Sequence, residues 1–171
     1  DDRLTSRHGM VEYLTTMRYV EKYLKPDSRI LEIGAATGRY SHALARKGYA
    51  VDAVELLGHN IEVFQQNTLP GEPVSVRQGN ALDLSGFGDN TYDITLLLGP
   101  MYHLYTVEEQ KKALTEALRV TRPGGVVFAA YCGSDATAIQ FCFGKGMLKD
   151  PRYQALVDPE TFKLASTPTE V

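Results

Sequence analysis

Apolar runs and amphipathic segments alternate along most of this chain, and that alternation is its strongest constraint. Residues 10–24 place Tyr13, Leu14, Met17, Val20 and Leu24 on one helical stripe, and Pro26 stops it. Residues 30–33 read as a strand. Residues 40–47 read as a helix that Gly48 closes as a left-handed cap. A second strand at residues 50–55, a short helix at 59–66, a third strand at 74–78 and a fourth at 92–98 follow. Thr106 and Glu109 spell a capping box for a helix running to about Thr121, with Ala113, Leu114, Ala117 and Leu118 inward. Arg122-Pro123-Gly124-Gly125 reads as a tight turn before a fifth strand at 126–131. Strands alternating with helices imply a doubly wound, mainly parallel α/β sheet with helices on both faces.

The alternation stops after Tyr131. The remaining 40 residues contain Gly144, Gly146, Pro151, Pro159 and Pro168, a poor composition for central strands. Residues 134–148 suit a helix weakened by its glycines, and 148–163 suit helical turns of a lid over the active site. The expectation is one domain: a helical cap at 1–27, a core at 28–131, and a helical substrate-side segment at 132–171.

Composition narrows the function classes. Hydrophobic residues make up 43% and charged residues 23%, which fits a soluble globular protein and argues against disorder. The net charge is −3 and the basic residues are scattered, which makes nucleic acid an unlikely partner. No apolar run reaches the roughly 20 residues of a membrane span, and no leader is recognisable at the start. The chain opens on Asp1 without Met, so it is expected to be processed or trimmed. Cys132 and Cys142 match no zinc or redox spacing and are expected to be buried apolar residues of a cytoplasmic protein.

Three loops fall at strand ends, where doubly wound sheets bind their ligands. The first is ILEIGAATGRYS, residues 30–41, whose four small residues suggest close approach to the backbone. It is not G-x-G-x-x-G, because Arg39 occupies the third glycine's place, and no G-K-[ST] follows to make a P-loop. Glu32, two residues before Gly34, is a poor neighbour for phosphate and a good one for a cation. The second is Glu55, 17 residues after Gly38, placed to accept from both hydroxyls of a ribose. The third is Gly79-Asn80-Ala81, where an amide and a backbone N–H suit a nucleobase edge. The blander readings are a paired strand acid for Glu32, a surface acid for Glu55 and a turn residue for Asn80.

With G-N-A-L-D-L, Y-D-I-T-L-L-L-G-P-M-Y-H-L and R-P-G-G added, E-I-G-A-A-T-G and Glu55 complete a pattern over residues 28–131. It resembles the class I S-adenosylmethionine-dependent methyltransferases. The resemblance implies a Rossmann-like sheet, usually of seven strands, binding S-adenosyl-L-methionine and releasing S-adenosyl-L-homocysteine. It implies that Gly34, Ala35, Ala36 and Gly38 line the methionine part of that cofactor, with Glu32 near its ammonium group. Glu55, followed by Leu56, would hold the ribose; Asn80 and Ala81 the adenine; Leu98 and Gly99 would pass beneath the sulfonium. Two positions depart from the family. Ala36 stands where glycine is frequent, acceptable if its φ is negative, and Asn80 stands where Asp is more usual. In similar enzymes a leading helix closes over the cofactor, so Arg3, Arg7 or Tyr13 could meet its carboxylate; the alternative is a solvated terminus. Only five strands are recognisable. The C-terminal strands are therefore expected to be absent from this chain, or the fifth strand's edge to be covered by a partner, a homo-oligomer included.

Residues 99–104 follow the fourth strand. Tyr102 and His103 are candidates to bind substrate or take a proton, and equally to pack the loop. His8, His42 and His59 show no metal-ligand spacing and read as surface or capping residues; no metal is expected. The leading expectation is methyl transfer to O, N or C of a small molecule. A non-catalytic cofactor-binding module and an RNA methyltransferase remain alternatives, and Arg39 disfavours a nicotinamide enzyme.

Overall fold

The computed structural model describes residues 7–131, 133, 144–154, 158 and 160. Its contacts divide the chain into two compact units, Asp1–Ala130 and Tyr131–Val171. In the second unit the described elements are a 3-10 turn, Met147–Lys149, and a single helical turn, Pro151–Gln154. Cys132, Cys142 and most of residues 134–171 lie outside the described residues; of the helical turns expected at 148–163, residues 148–154, 158 and 160 are described.

The first unit opens with α1 (Arg7–Glu21), then β1 (Arg29–Ile33), α2 (Arg39–Ala45), β2 (Ala50–Glu55), α3 (Gly58–Asn67) and β3 (Val74–Gln78). It continues with β4 (Tyr92–Leu97), α4 (Val107–Val120) and β5 (Thr121–Ala129). The five strands form one sheet in the order β3-β2-β1-β4-β5, and every pair is parallel. The order reverses between β1 and β4, so the crevice at their carboxyl ends is where such a sheet takes a ligand.

Burial explains the strand sequences. Every residue of β4 is buried, as expected of a strand covered on both faces. Leu31, Ile33 and Leu97 face Ala113, Ala117 and Val120 of α4. On the other face, Ile30, Val51, Ile94 and Leu96 meet Met17 and Val20 of α1 and Tyr40 and Leu44 of α2, while Phe64 of α3 packs on Ala35 and Ala53. Each fully buried Leu or Ile contributes about 1.5–3 kcal/mol. The polar residues of β4 are satisfied: Asp93 accepts from the Arg29 N–H at 2.9 Å and pairs with Arg122, and Thr95 meets Thr121 at 2.7 Å.

Several expected details hold. Gly48 has φ +92°, and its N–H bonds the Ala45 carbonyl at 2.8 Å. Thr106 and Glu109 form the reciprocal capping box. Others are corrected. Leu14 is 58% exposed and Leu118 62% exposed, because the buried stripes run through Met17 and Val20 in α1 and through Ala113, Ala117 and Val120 in α4. The R-P-G-G segment lies inside β5. Thr121 pairs with Tyr92 and Val126 with Ile94, so residues 122–125 bulge out of register, with Gly124 at φ +78°.

Candidate active site

The carboxyl ends of β1, β2, β3 and β4 open into one cleft of about 920 Å³. Ten of the eleven residues assigned to the cofactor from the sequence line it: Glu32, Gly34, Ala35, Ala36, Glu55, Leu56, Asn80, Ala81, Leu98 and Gly99. Tyr102 and His103 line it as well. Gly38 does not.

The glycine loop is tied down from beneath. The N–H groups of Gly34 and Ala35 both donate to the Val54 carbonyl, at 2.8 and 3.0 Å. Gly34 sits at φ +73°, and a Cβ there would lie 2.6 Å from Pro100 Cδ. Gly38 sits at φ +85°, and its Cβ would lie 2.5 Å from the Phe64 ring and 2.7 Å from His42 Nε2. Both glycines are therefore required by neighbouring side chains of the protein itself, in addition to backbone conformation. Ala36 corrects an expectation: its φ is +49°, left-handed, a conformation that costs a non-glycine residue on the order of 1–2 kcal/mol. Glu55 offsets that cost by accepting the Ala36 N–H at 2.7 Å.

Glu55 is 6% exposed and largely engaged within the fold. Its Oε2 holds Ala36, and its Oε1 accepts from the Leu57 N–H at 3.0 Å and from Asn60 Nδ2 at 3.1 Å. A carboxylate offers about four acceptor positions, so roughly one remains. Glu32 is 3% exposed and accepts from both the N–H (2.9 Å) and the hydroxyl of Ser41 on α2. Burial raises its carboxyl to about 7; the Ser41 hydrogen bonds pull down, and the nearby Glu55 charge pushes up.

At β3 the Asn80 side chain accepts from the Leu82 N–H at 3.0 Å, the turn role weighed from the sequence. Ala81 is buried, and its N–H has no acceptor among the described residues. Buried backbone donors are nearly always paired, so this one marks a place where a ligand atom can accept. Beyond β4, Pro100–Tyr102 forms a 3-10 turn whose Met101 is buried in the core. The turn is closed by the His103 N–H on the Pro100 carbonyl at 2.9 Å. The His103 side chain is exposed and makes no hydrogen bond among the described residues.

Sequence reasoning missed four lining residues that matter: Arg39, Asn60, His59 and Glu109. The two α3 residues were discoverable, since Asn60 is five residues beyond Glu55 and can reach its carboxylate. His42, read from the sequence as a surface or capping residue, is buried, which corrects the surface reading. Its Nδ1 lies 3.0 Å from Glu72 Oε2, its Nε2 lies 3.2 Å from the Phe64 carbonyl, and its ring lies against Phe64. Among the described residues there is no group of three or more His, Cys, Asp or Glu arranged to hold a metal, and no helix long and apolar enough to cross a membrane. Arg3 lies outside the described residues.

A family model for a methyltransferase domain matches residues 31–129. The chain is 33% identical over 128 residues to a ubiquinone biosynthesis O-methyltransferase from Methylocella silvestris, covering 74% of this chain and 48% of that one. It is 35% identical over 106 residues to a demethylmenaquinone methyltransferase from Renibacterium salmoninarum, covering 61% and 41%. The solved structure of a SAM-dependent methyltransferase from Methanosarcina mazei superposes with a TM-score of 0.66 at 24% identity, over 86% of this chain and 74% of that one. That likeness concerns the fold. The chain spans less than half the length of these two curated relatives.

Proposed function

Because the chain belongs to the class I S-adenosylmethionine-dependent methyltransferase family, we propose that it moves the methyl group of S-adenosyl-L-methionine to O, N or C of a small-molecule acceptor. The observation that carries the proposal is the convergence of the strand-end loops on one cleft, where the Ala81 N–H has no acceptor among the described residues. The donor set suits a cationic nucleoside: buried acids at Glu32 and Glu55, and no phosphate cradle.

In this reading Glu55 accepts from the ribose. Two hydroxyls require one acceptor position more than remains, so the Asn60 side chain turns away when ligand enters. Ala81 donates to the adenine ring and Asn80 accepts from its amine. Glu32, with Ser41 holding it, faces the ammonium group, and Leu98 and Gly99 pass beneath the reacting sulfur. When bound, the cofactor supplies an activated methyl group, so the chain's contribution is chiefly alignment. His103 takes the proton that an O–H or N–H acceptor must lose, and Tyr102 positions that acceptor.

The apolar neighbours of His103, Leu98, Pro100 and Leu104, favour an apolar ring as acceptor. The two relatives named for ubiquinone and demethylmenaquinone chemistry support the same class. The test is incubation with methyl-labelled cofactor and a panel of phenols, reduced quinones, amines and an unmodified RNA. Label should enter a small molecule. Tight binding of S-adenosyl-L-homocysteine without transfer to any acceptor would instead establish a binding module, and label in RNA would overturn the acceptor class.

A further inference from the structure

His42 is a buried titratable group to which the proposed reaction gives no task. It sits on α2, 4% exposed, with an oxygen at each ring nitrogen. Nδ1 lies 3.0 Å from Glu72 Oε2, in the turn before β3, and Nε2 lies 3.2 Å from the Phe64 carbonyl of α3. Desolvation pushes the Glu72 carboxyl up, but hydrogen bonds from Arg46, the Leu69 N–H and His42 hold it below the usual carboxylate range. An ionised carboxylate and a carbonyl can only accept. A neutral imidazole has one N–H, so it would set a lone pair against one of these oxygens. The imidazolium satisfies both. Arg46, one turn along α2, is the other charged group of the cluster, and it too is paired with Glu72.

The ring does not line the cleft; it lies behind the glycine loop. A Cβ on Gly38 would come within 2.7 Å of Nε2 and 2.5 Å of the Phe64 ring, so this end of the loop rests on the pair. The His42 N–H also bonds the Gly38 carbonyl at 2.8 Å. Phe64 belongs to the helix whose Asn60 bonds Glu55, and Glu55 in turn holds Ala36. His42 thus joins α2, α3 and the turn before β3 at one point, and the loop is built on that joint. Loss of the second proton would replace one hydrogen bond with two opposed lone pairs across the joint.

We infer that the His42 imidazolium, clamped between Glu72 and the Phe64 carbonyl, is a positioning residue that holds the glycine loop in its binding shape, and that proton loss at this ring loosens the loop. His42 acts through Gly38 and α3 without meeting a ligand itself. The inference rests on the cofactor reading above. It makes ligand affinity depend on the charge of a group outside the cleft.

The test pairs calorimetric titration of S-adenosyl-L-homocysteine with nitrogen NMR of the histidine rings, from about pH 5.5 to about pH 8.5. His42→Gln carries the other titrating groups as background, since its amide does not titrate, and it identifies the His42 signals by their loss. Relative to that variant, the wild type should bind about 2- to 10-fold tighter at the acid end. That advantage should fade as the His42 ring sheds its second proton. By reciprocity, the ligand should raise the pH at which His42 loses that proton. Glu72→Gln removes the charge that favours the imidazolium, so the same fading should come at lower pH. The inference is overturned if the advantage does not change with pH, or if the ligand leaves the His42 titration where it was. The second measurement needs the wild type alone, so it decides the matter even if His42→Gln fails to fold. A wild type that binds at no pH sinks the cofactor reading itself, a result distinct from the others.

Discussion

The two loops that meet where Gly34 touches Pro100 are held in different ways. Residues 34–38 are fixed at nearly every position: two N–H groups on Val54, one on Glu55, and two glycines whose missing Cβ atoms make room for Pro100, Phe64 and His42. Residues 99–103 are fixed by a 3-10 turn and one buried side chain, Met101, while His103 stands at the cleft without a hydrogen-bonding partner among the described residues. On the proposed function, the contrast is between a loop that acts through its backbone shape and a loop that acts through its side chains.

The largest effect should come from the second loop. If His103 takes the acceptor's proton, His103→Ala slows turnover by about 10²–10⁴-fold, with affinity for S-adenosyl-L-homocysteine and melting temperature nearly unchanged. Equal loss of rate, affinity and stability would erase the contrast and assign His103 to packing.

The first loop should break differently. Gly34→Ala adds a methyl group against Pro100 at a left-handed φ. Strain of about 1–3 kcal/mol and overpacking of about 1–3 kcal/mol together predict a loss of roughly 2–6 kcal/mol in chemical denaturation. Gly48→Ala is the control, since its φ is also positive but nothing lies within 4 Å of its added Cβ. It should lose only about 1–2 kcal/mol. Equal losses at the two positions would show that the Pro100 contact is unimportant.

A further difference between the loops is electrostatic. The carboxyl of Glu32 is raised from 4.5 to about 7 by burial. A raised folded value means that the group's stabilising contribution is complete below about pH 4.5 and is lost as pH rises through about 7. Relative to Glu32→Gln, the wild type should therefore lose about 3 kcal/mol between those values. A pH-independent difference would show that Glu32 stays ionised throughout.

How far these features could be read from the sequence follows from their range. The sheet and its helices are local patterns: the run of residues 92–97, the capping box and Gly48 declare themselves within a few positions. The candidate loops also declare themselves, because small residues and acids at strand ends are few. What escaped is non-local. That Gly38 makes room for Phe64 and His42 depends on α3 packing across α2, 26 residues away in sequence for Phe64. The left-handed φ of Ala36 is sustained by Glu55, 19 residues on. Arg39 was read only as a missing glycine, because its support on Tyr13 comes from another helix. Leu14 and Leu118 were misplaced because an apolar residue one step off a helical stripe looks the same in sequence as one on it.

The account stands most directly on Glu55, which both shapes the glycine loop and is proposed to hold the ribose. Titration calorimetry of S-adenosyl-L-homocysteine against wild type and Glu55→Ala measures that claim. The lost charge-assisted hydrogen bonds predict affinity weaker by about 10- to 150-fold in the variant. Unchanged affinity in Glu55→Ala would contradict the account.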